Sequence, residues 1–154
     1  MSVFNRIKME NISFRKEKNP LSSETSYLIS KINEYVKSKT KDGVAPEVTD
    51  TIVYDVVRSY IKQQYQIIET LAKQERTNKI EAAIGESKNN IEFMKSYLPE
   101  PISIETINRD IEVILATIDN PSQKSMGIVI SALKKKYGDM FDGSVISPIV
   151  KAKL

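Results

Sequence analysis

Residues 49–73, Thr49-Asp-Thr-Ile-Val-Tyr-Asp-Val-Val-Arg-Ser-Tyr-Ile-Lys-Gln-Gln-Tyr-Gln-Ile-Ile-Glu-Thr-Leu-Ala-Lys73, decide the fold. Val, Ile and Tyr abound here, and these residues favour strands. A half-buried strand would alternate apolar and polar positions. This stretch does not alternate. Val53, Val56, Val57, Tyr60, Ile61, Ile67, Ile68 and Leu71 keep a spacing of three and four and face one way on a helix. Thr49 precedes the stripe as an N-cap, so the spacing predicts a third helix over Asp50 to Lys73, about 36 Å long at 1.5 Å per residue.

Upstream, Lys37 to Pro46 is a polar break containing Asp42-Gly43. Before it, Leu21, Thr25, Leu28, Ile29, Ile32, Tyr35 and Val36 predict a second helix ending near Lys37. Asn19-Pro20 suits its start: the Asn side chain can accept an orphan N–H, and Pro fits the first helical position. A first helix spans Val3 to Lys16, with Phe4, Ile7 and Phe14 near one face and Asn11 interrupting the stripe.

Downstream, a polar turn at Gln74 to Asn78 leads into a fourth helix, Lys79 to Leu98, with Ile80, Ile84, Ile91, Met94 and Leu98 in line. Gly85 inside it costs about 1 kcal/mol relative to Ala. Pro99 disfavours helical backbone at Leu98, and Pro99-Glu100-Pro101 is the best domain boundary. Ser103 caps a fifth helix bearing Ile104, Ile107, Ile111, Ile114, Leu115 and Ile118. After the turn at Asp119 to Ser122, a sixth helix covers Ser125 to Tyr137, closed by Gly138. Asp142 caps a last helix, Gly143 to Lys153. The expectation is an all-α chain. An N-terminal helical domain of about four helices (residues 1–98) precedes a small three-helix domain (residues 99–154).

Composition narrows the chemistry. The 154 residues are 40% hydrophobic and only 7% aromatic, so Val, Ile, Leu and Met must build the core. There is no Cys and no His, which removes disulfides, thiolate nucleophiles, Cys/His zinc sites and imidazole bases. The five glycines, Gly43, Gly85, Gly127, Gly138 and Gly143, make no phosphate-binding loop. No cofactor and no metal is expected, and no independent active site. No run of 18 apolar residues exists, so no membrane span is expected. Met1 to Lys18 lacks an apolar segment of the secretory type. The expected location is cytoplasmic.

Net charge is +3. It is uneven: Lys124 to Leu154 carries six Lys against two Asp, a local +4. Lys134, Lys135, Lys136, Lys151 and Lys153 form the candidate nucleic-acid surface, because clustered cations displace counterions from phosphates. The same lysines suit a solvated helix end, where the macrodipole favours cations. Gly127 allows close approach of a neighbouring helix or a ligand. Tyr137 and Phe141 could stack on an unpaired base or fill the core. Asp139 and Asp142 could hold a hard cation, but capping accounts for Asp142.

Three stretches carry a resemblance. Ser125-Met-Gly-Ile-Val-Ile-Ser-Ala-Leu-Lys-Lys-Lys136, then Asp142-Gly-Ser-Val-Ile-Ser-Pro-Ile-Val-Lys-Ala-Lys-Leu154, is similar to an M-G-x-V-M-x-x-L-x-x-K stretch and a closing L-V-x-x-L-V-K-x-K-L. Tyr97-Leu-Pro-Glu-Pro-Ile-Ser103 resembles a Y-L-P-x-x-[LI]-S junction. Val48-Thr-Asp50 with Ile61-Lys-Gln-Gln64 resembles L-T-D-x-x-V…I-K-Q-R. In this order and spacing they resemble the GatB/YqeY family across the whole chain. The resemblance implies an all-helical fold whose C-terminal part is like the tail of the B subunit of tRNA-dependent amidotransferases. There the tail contacts tRNA while amide transfer proceeds in other domains. It also implies a link to carbon–nitrogen ligase activity with glutamine as amido donor.

The chain departs from the family pattern at four places. Ile128 stands where a basic residue follows Met-Gly, Met140 falls in a turn that usually carries Lys or Arg, Ser144 replaces a common Lys, and Pro148 lies inside the last helix. The leading expectation is a YqeY-like accessory protein that binds tRNA or serves a tRNA amidotransferase. The alternatives are a helical module for another protein partner and a component of the ligase itself.

Overall fold

The computed structural model describes all residues, Met1–Leu154. The chain is all-α, as the period predicts. Its helices are α1 (Val3–Lys16), α2 (Leu21–Ser38), α3 (Asp50–Ala72), α4 (Asn78–Lys95), α5 (Ile104–Leu115), α6 (Met126–Tyr137) and α7 (Gly143–Lys153). A lone β-bridge between Lys41 and Val44 closes the Asp42-Gly43 turn and builds no strand. The backbone divides into two compact units, Met1–Leu98 with α1–α4 and Pro99–Leu154 with α5–α7. No helix is long and apolar enough to cross a membrane.

Local chemistry sets the helix starts. Thr49, Ser103 and Asp142 each accept a backbone N–H at the head of α3, α5 and α7, as their positions predict. Thr77 does the same for α4. Asn19 Oδ1 accepts the Leu21 N–H at 2.9 Å, and Pro20 already has helical angles. Gly138 ends α6 at φ 57° and ψ −125°, a conformation that only glycine adopts without strain.

The first unit buries Ile7, Leu28, Ile32, Val53, Val57 and Met94 completely. Asn11, the residue that interrupts the α1 stripe, is buried as well. Its amide nitrogen lies 2.8 Å from Thr25 Oγ1, 3.0 Å from the Ser22 carbonyl and 2.9 Å from Ser26 Oγ, so it clamps α1 to α2. The Val3 N–H donates to Asp50 Oδ1 at 3.0 Å and ties the start of α1 to that of α3. Two buried phenols donate to carboxylates far away in sequence: Tyr60 to Glu24, and Tyr97 to Glu10. The Arg6 guanidinium lies 4.8 Å over the Tyr97 ring.

Two expectations for this unit are corrected. α4 stops at Lys95, not Leu98, because the N–H groups of Ser96, Tyr97 and Leu98 bond three residues back and tighten the last turn. The α3 stripe is covered only at its start. Val53, Val57, Tyr60 and Ile61 are buried, Ile68 and Leu71 are half-buried, and Ile67 is 44% exposed. The last bond from α2 reaches Gln63, from the Tyr27 hydroxyl at 3.3 Å. Beyond it α4 is the main cover, and one neighbour cannot shield a whole stripe.

The second unit packs Ile107, Ile111, Val129, Leu133, Ile146 and Val150 into a separate core. Tyr137 and Phe141 are half-buried and pack against it, as core filling requires. Ile104, expected on the apolar stripe, is 62% exposed at the first position of α5. α5 ends at Leu115, leaving Ile118 in the following turn. α6 is preceded by a 3-10 turn, Gln123–Ser125, whose Ser122 and Ser125 cap each other reciprocally. Pro148 lies on the exposed side of α7, which runs unbroken past it. There its missing N–H leaves no buried group unsatisfied.

Candidate nucleic-acid interface

The lysine triplet closes α6, and Lys151 and Lys153 close α7. All five residues are exposed. At a helix C-terminus the unpaired carbonyls favour a positive charge, which accounts locally for both groups.

The structure does not treat the five alike. Lys136 Nζ lies 2.8 Å from Asp110 Oδ1. Lys153 Nζ lies 3.2 Å from Glu112 Oε1. Both acids stand on α5, two residues apart, so each lysine ties a different helix to the same one. The two ties differ in strength. The Glu112 side chain is 68% exposed, and such pairs contribute at most about 1 kcal/mol. The Asp110 side chain is 11% exposed and also accepts the Tyr137 hydroxyl at 2.6 Å. The bonds from Lys136 and Tyr137 hold the Asp110 carboxyl below its usual range against the opposing effect of burial. Burial, reinforced by Asp110, pushes the Tyr137 phenol up.

Lys136 is therefore a structural tie between α5 and α6, and a phosphate would have to displace it from a nearly buried carboxylate. Lys134, Lys135 and Lys151 make no ion pair. These three are the cations open to a ligand.

A Cβ added at Gly127 would meet nothing within 4 Å, so no helix of this chain approaches closely there. The packing reason for that glycine is absent, and its open side faces outward next to the exposed Ile128. Asp142 Oδ1 accepts the Ser144 N–H at 3.1 Å and its hydroxyl at 2.6 Å, the capping role expected of it.

Asp110 is the residue that sequence reasoning missed. A signal was present. Asp110 occupies the i+3 position of the stripe Ile107, Asp110, Ile111, Ile114, where an acid can be buried only with partners. Its partners lie 26 and 27 residues further along the chain.

A family model described as "Yqey-like protein" matches residues 6–154. Dynactin subunit 2 of Drosophila pseudoobscura pseudoobscura is 25% identical over 147 residues, which covers 91% of this chain. The chain spans 38% of that protein's length. The family match covers nearly the whole chain, both units included, and the chain belongs to the YqeY-like family.

Proposed function

We propose that this YqeY-like protein is an accessory module that binds tRNA through Lys134, Lys135 and Lys151 on its C-terminal unit. The supporting observation is that these three cations stand exposed and unpaired at helix ends, while their neighbours Lys136 and Lys153 are tied to α5. Exposed, unpaired cations are the groups that neutralise phosphates and release their counterions. The amidotransferase link, and with it carbon–nitrogen ligase activity using glutamine as amido donor, rests on the resemblance of the tail alone. The test is binding of bulk tRNA across a salt series by the wild type and by the Lys134→Glu, Lys135→Glu, Lys151→Glu variant. Loss of three phosphate contacts should lower the log–log salt slope by about 2–3. Equal affinity and equal slope for the two proteins reject this surface. A tRNA amidotransferase subunit retained on the immobilised protein would support the partner reading.

A second reading is a module for a protein partner, and one observation favours it. α3 continues eleven residues past Ile61, its last buried residue, and carries Tyr65 and Ile67 exposed. Binding of a partner at that surface should be insensitive to salt and lost in an Ile67→Asp variant.

A further inference from the structure

Between α2 and α3 a cleft of about 470 Å³ opens to solvent. Ligand pockets run from roughly 300 to 1,000 Å³. The half-buried Val56 contributes apolar surface to it above the buried Leu28, and Tyr27, Tyr35 and Tyr60 line it with three rings. Tyr60 is buried and spends its hydroxyl on Glu24. Tyr27 and Tyr35 remain 40% and 39% exposed. They stand eight residues apart on α2, about 12 Å along its axis.

Two carboxylates line the same cleft. Glu34 bonds Lys31 at 3.1 Å. The Asp55 side chain makes neither an ion pair nor a hydrogen bond. With Lys31 and Glu34 neutralising each other, Asp55 leaves the cleft one negative charge in a protein whose net charge is +3. The faces of tyrosine rings carry negative potential and attract cations. The protein uses that attraction here already. The Lys31 ammonium lies 5.5 Å from the Tyr27 ring centre, and the Lys39 ammonium lies 5.7 Å from that of Tyr35. Lys31 and Lys39 are thus tethered cations on the two exposed rings, while the Asp55 carboxylate in the same cleft has no partner.

We propose that the α2–α3 cleft binds an aliphatic cation, an ammonium or guanidinium group on a carbon stem, with Asp55 and the exposed tyrosines taking the charge and Val56 the stem. A bare metal ion is a poor match, because the cleft is wide and only one of its carboxylates is unengaged. The same chemistry comes from two sources, a free diamine or a Lys or Arg side chain of a partner.

The full chain suits a direct test, since it has seven Tyr and no Trp to mask them. Tyrosine fluorescence and ring NMR signals are followed during titration at low salt with 1,4-diaminobutane, with acetyl-Ala-Arg-Ala-amide, and with uncharged butanol as control. Saturable shifts of Tyr27 and Tyr35 are expected with the cations and not with butanol. Asp55→Asn should weaken binding about three- to fivefold, the range of an exposed charge pair. Lys31→Met removes the tethered competitor and should strengthen it by a similar factor. Both positions face solvent, and the circular dichroism of each variant checks its fold. Tighter binding of the peptide assigns the site to a partner's side chain; tighter binding of the diamine assigns it to a free cation. No saturable shift with either cation overturns the proposal, as does equal response to butanol or unchanged affinity in both variants.

Discussion

Lys136 Nζ and Asp110 Oδ1 meet at 2.8 Å, and the lysine end of this pair is 60% exposed while the acid end is 11% exposed. The asymmetry says which partner is replaceable. A lysine released from the pair returns to water. An aspartate released from it stays desolvated.

Lys136→Met should therefore leave Asp110 with only the Tyr137 hydroxyl and lower stability by about 1–2 kcal/mol. Asp110→Ala removes the acceptor of both bonds and should cost about 1–3 kcal/mol. Thermal melting of the full chain, followed by circular dichroism, reads both. An Asp110→Ala protein as stable as wild type would contradict the tie.

The same pair sets a pH dependence. The folded state holds Asp110 below the ordinary value of 3.8, chiefly through the bond from Lys136. A depressed carboxyl stabilises the fold fully above its unfolded value. The contribution fades as pH falls below 3.8 and through the folded value. The loss of stability between pH 5 and pH 2 should be smaller in Asp110→Asn than in wild type. Parallel acid profiles for the two proteins would refute it.

Three of the seven tyrosines should resist alkali. Burial first, and a carboxylate partner second, push the phenols of Tyr60, Tyr97 and Tyr137 well above the ordinary value of 10.0. Each favours the protonated form in the folded state, so each contributes stability below pH 10 that drains away as pH rises above it. Absorbance at 295 nm should show these three ionising only with unfolding. Seven phenols titrating together while the helix signal stays intact would exclude the bonds to Glu24, Glu10 and Asp110.

Asn11 should behave as a clamp and not as a solvated residue. Asn11→Ala removes the amide donor that faces Thr25 Oγ1, Ser26 Oγ and the Ser22 carbonyl at the α1–α2 contact, and a loss of about 1–3 kcal/mol is expected. Asn5, exposed on the same helix, is the control, and its Ala variant should change stability by less than about 0.5 kcal/mol. Equal effects at both positions would remove the clamp.

The segment Pro99–Leu154 owns a core of six buried residues and is near the lower size limit for independent folding. Limited proteolysis should cut first near Pro99 to Pro101 or at Asp139-Met140 and release a helical C-terminal fragment. First cuts inside α4 would speak against two separable domains.

The sequence made the local features legible and the long-range ones not. Thr49, Ser103, Asp142 and Gly138 act within four residues of themselves, and each does what its type and place predict. The 3–4 period of α3 predicts an apolar face but carries no information on how far a neighbour covers it, and Ile67 lies beyond that cover. Ile104, at the first position of α5, is left open for the same reason. Charge clustering marks the candidate lysines, yet nothing in the run Lys134-Lys135-Lys136 distinguishes the residue that turns to Asp110. The Tyr60–Glu24 and Tyr97–Glu10 pairs span 36 and 87 residues and leave no periodic trace.

The heaviest packing in the first unit falls between sequence neighbours, α1 with α2 and α3 with α4, while the Val3–Asp50 bond reaches across 47 residues. In kinetic terms that is a chain of two short-range hairpins and a few late closures. Closing a small loop requires less entropy than closing a large one, and topologies rich in local contacts fold fast. The hairpins should form first, and the docking of α1 against the head of α3 should be the step that completes the barrier. Replacing Asp50 would then slow folding, and so would trimming the α3–α4 hairpin, since both would be in place at the barrier, while unfolding rates would change little.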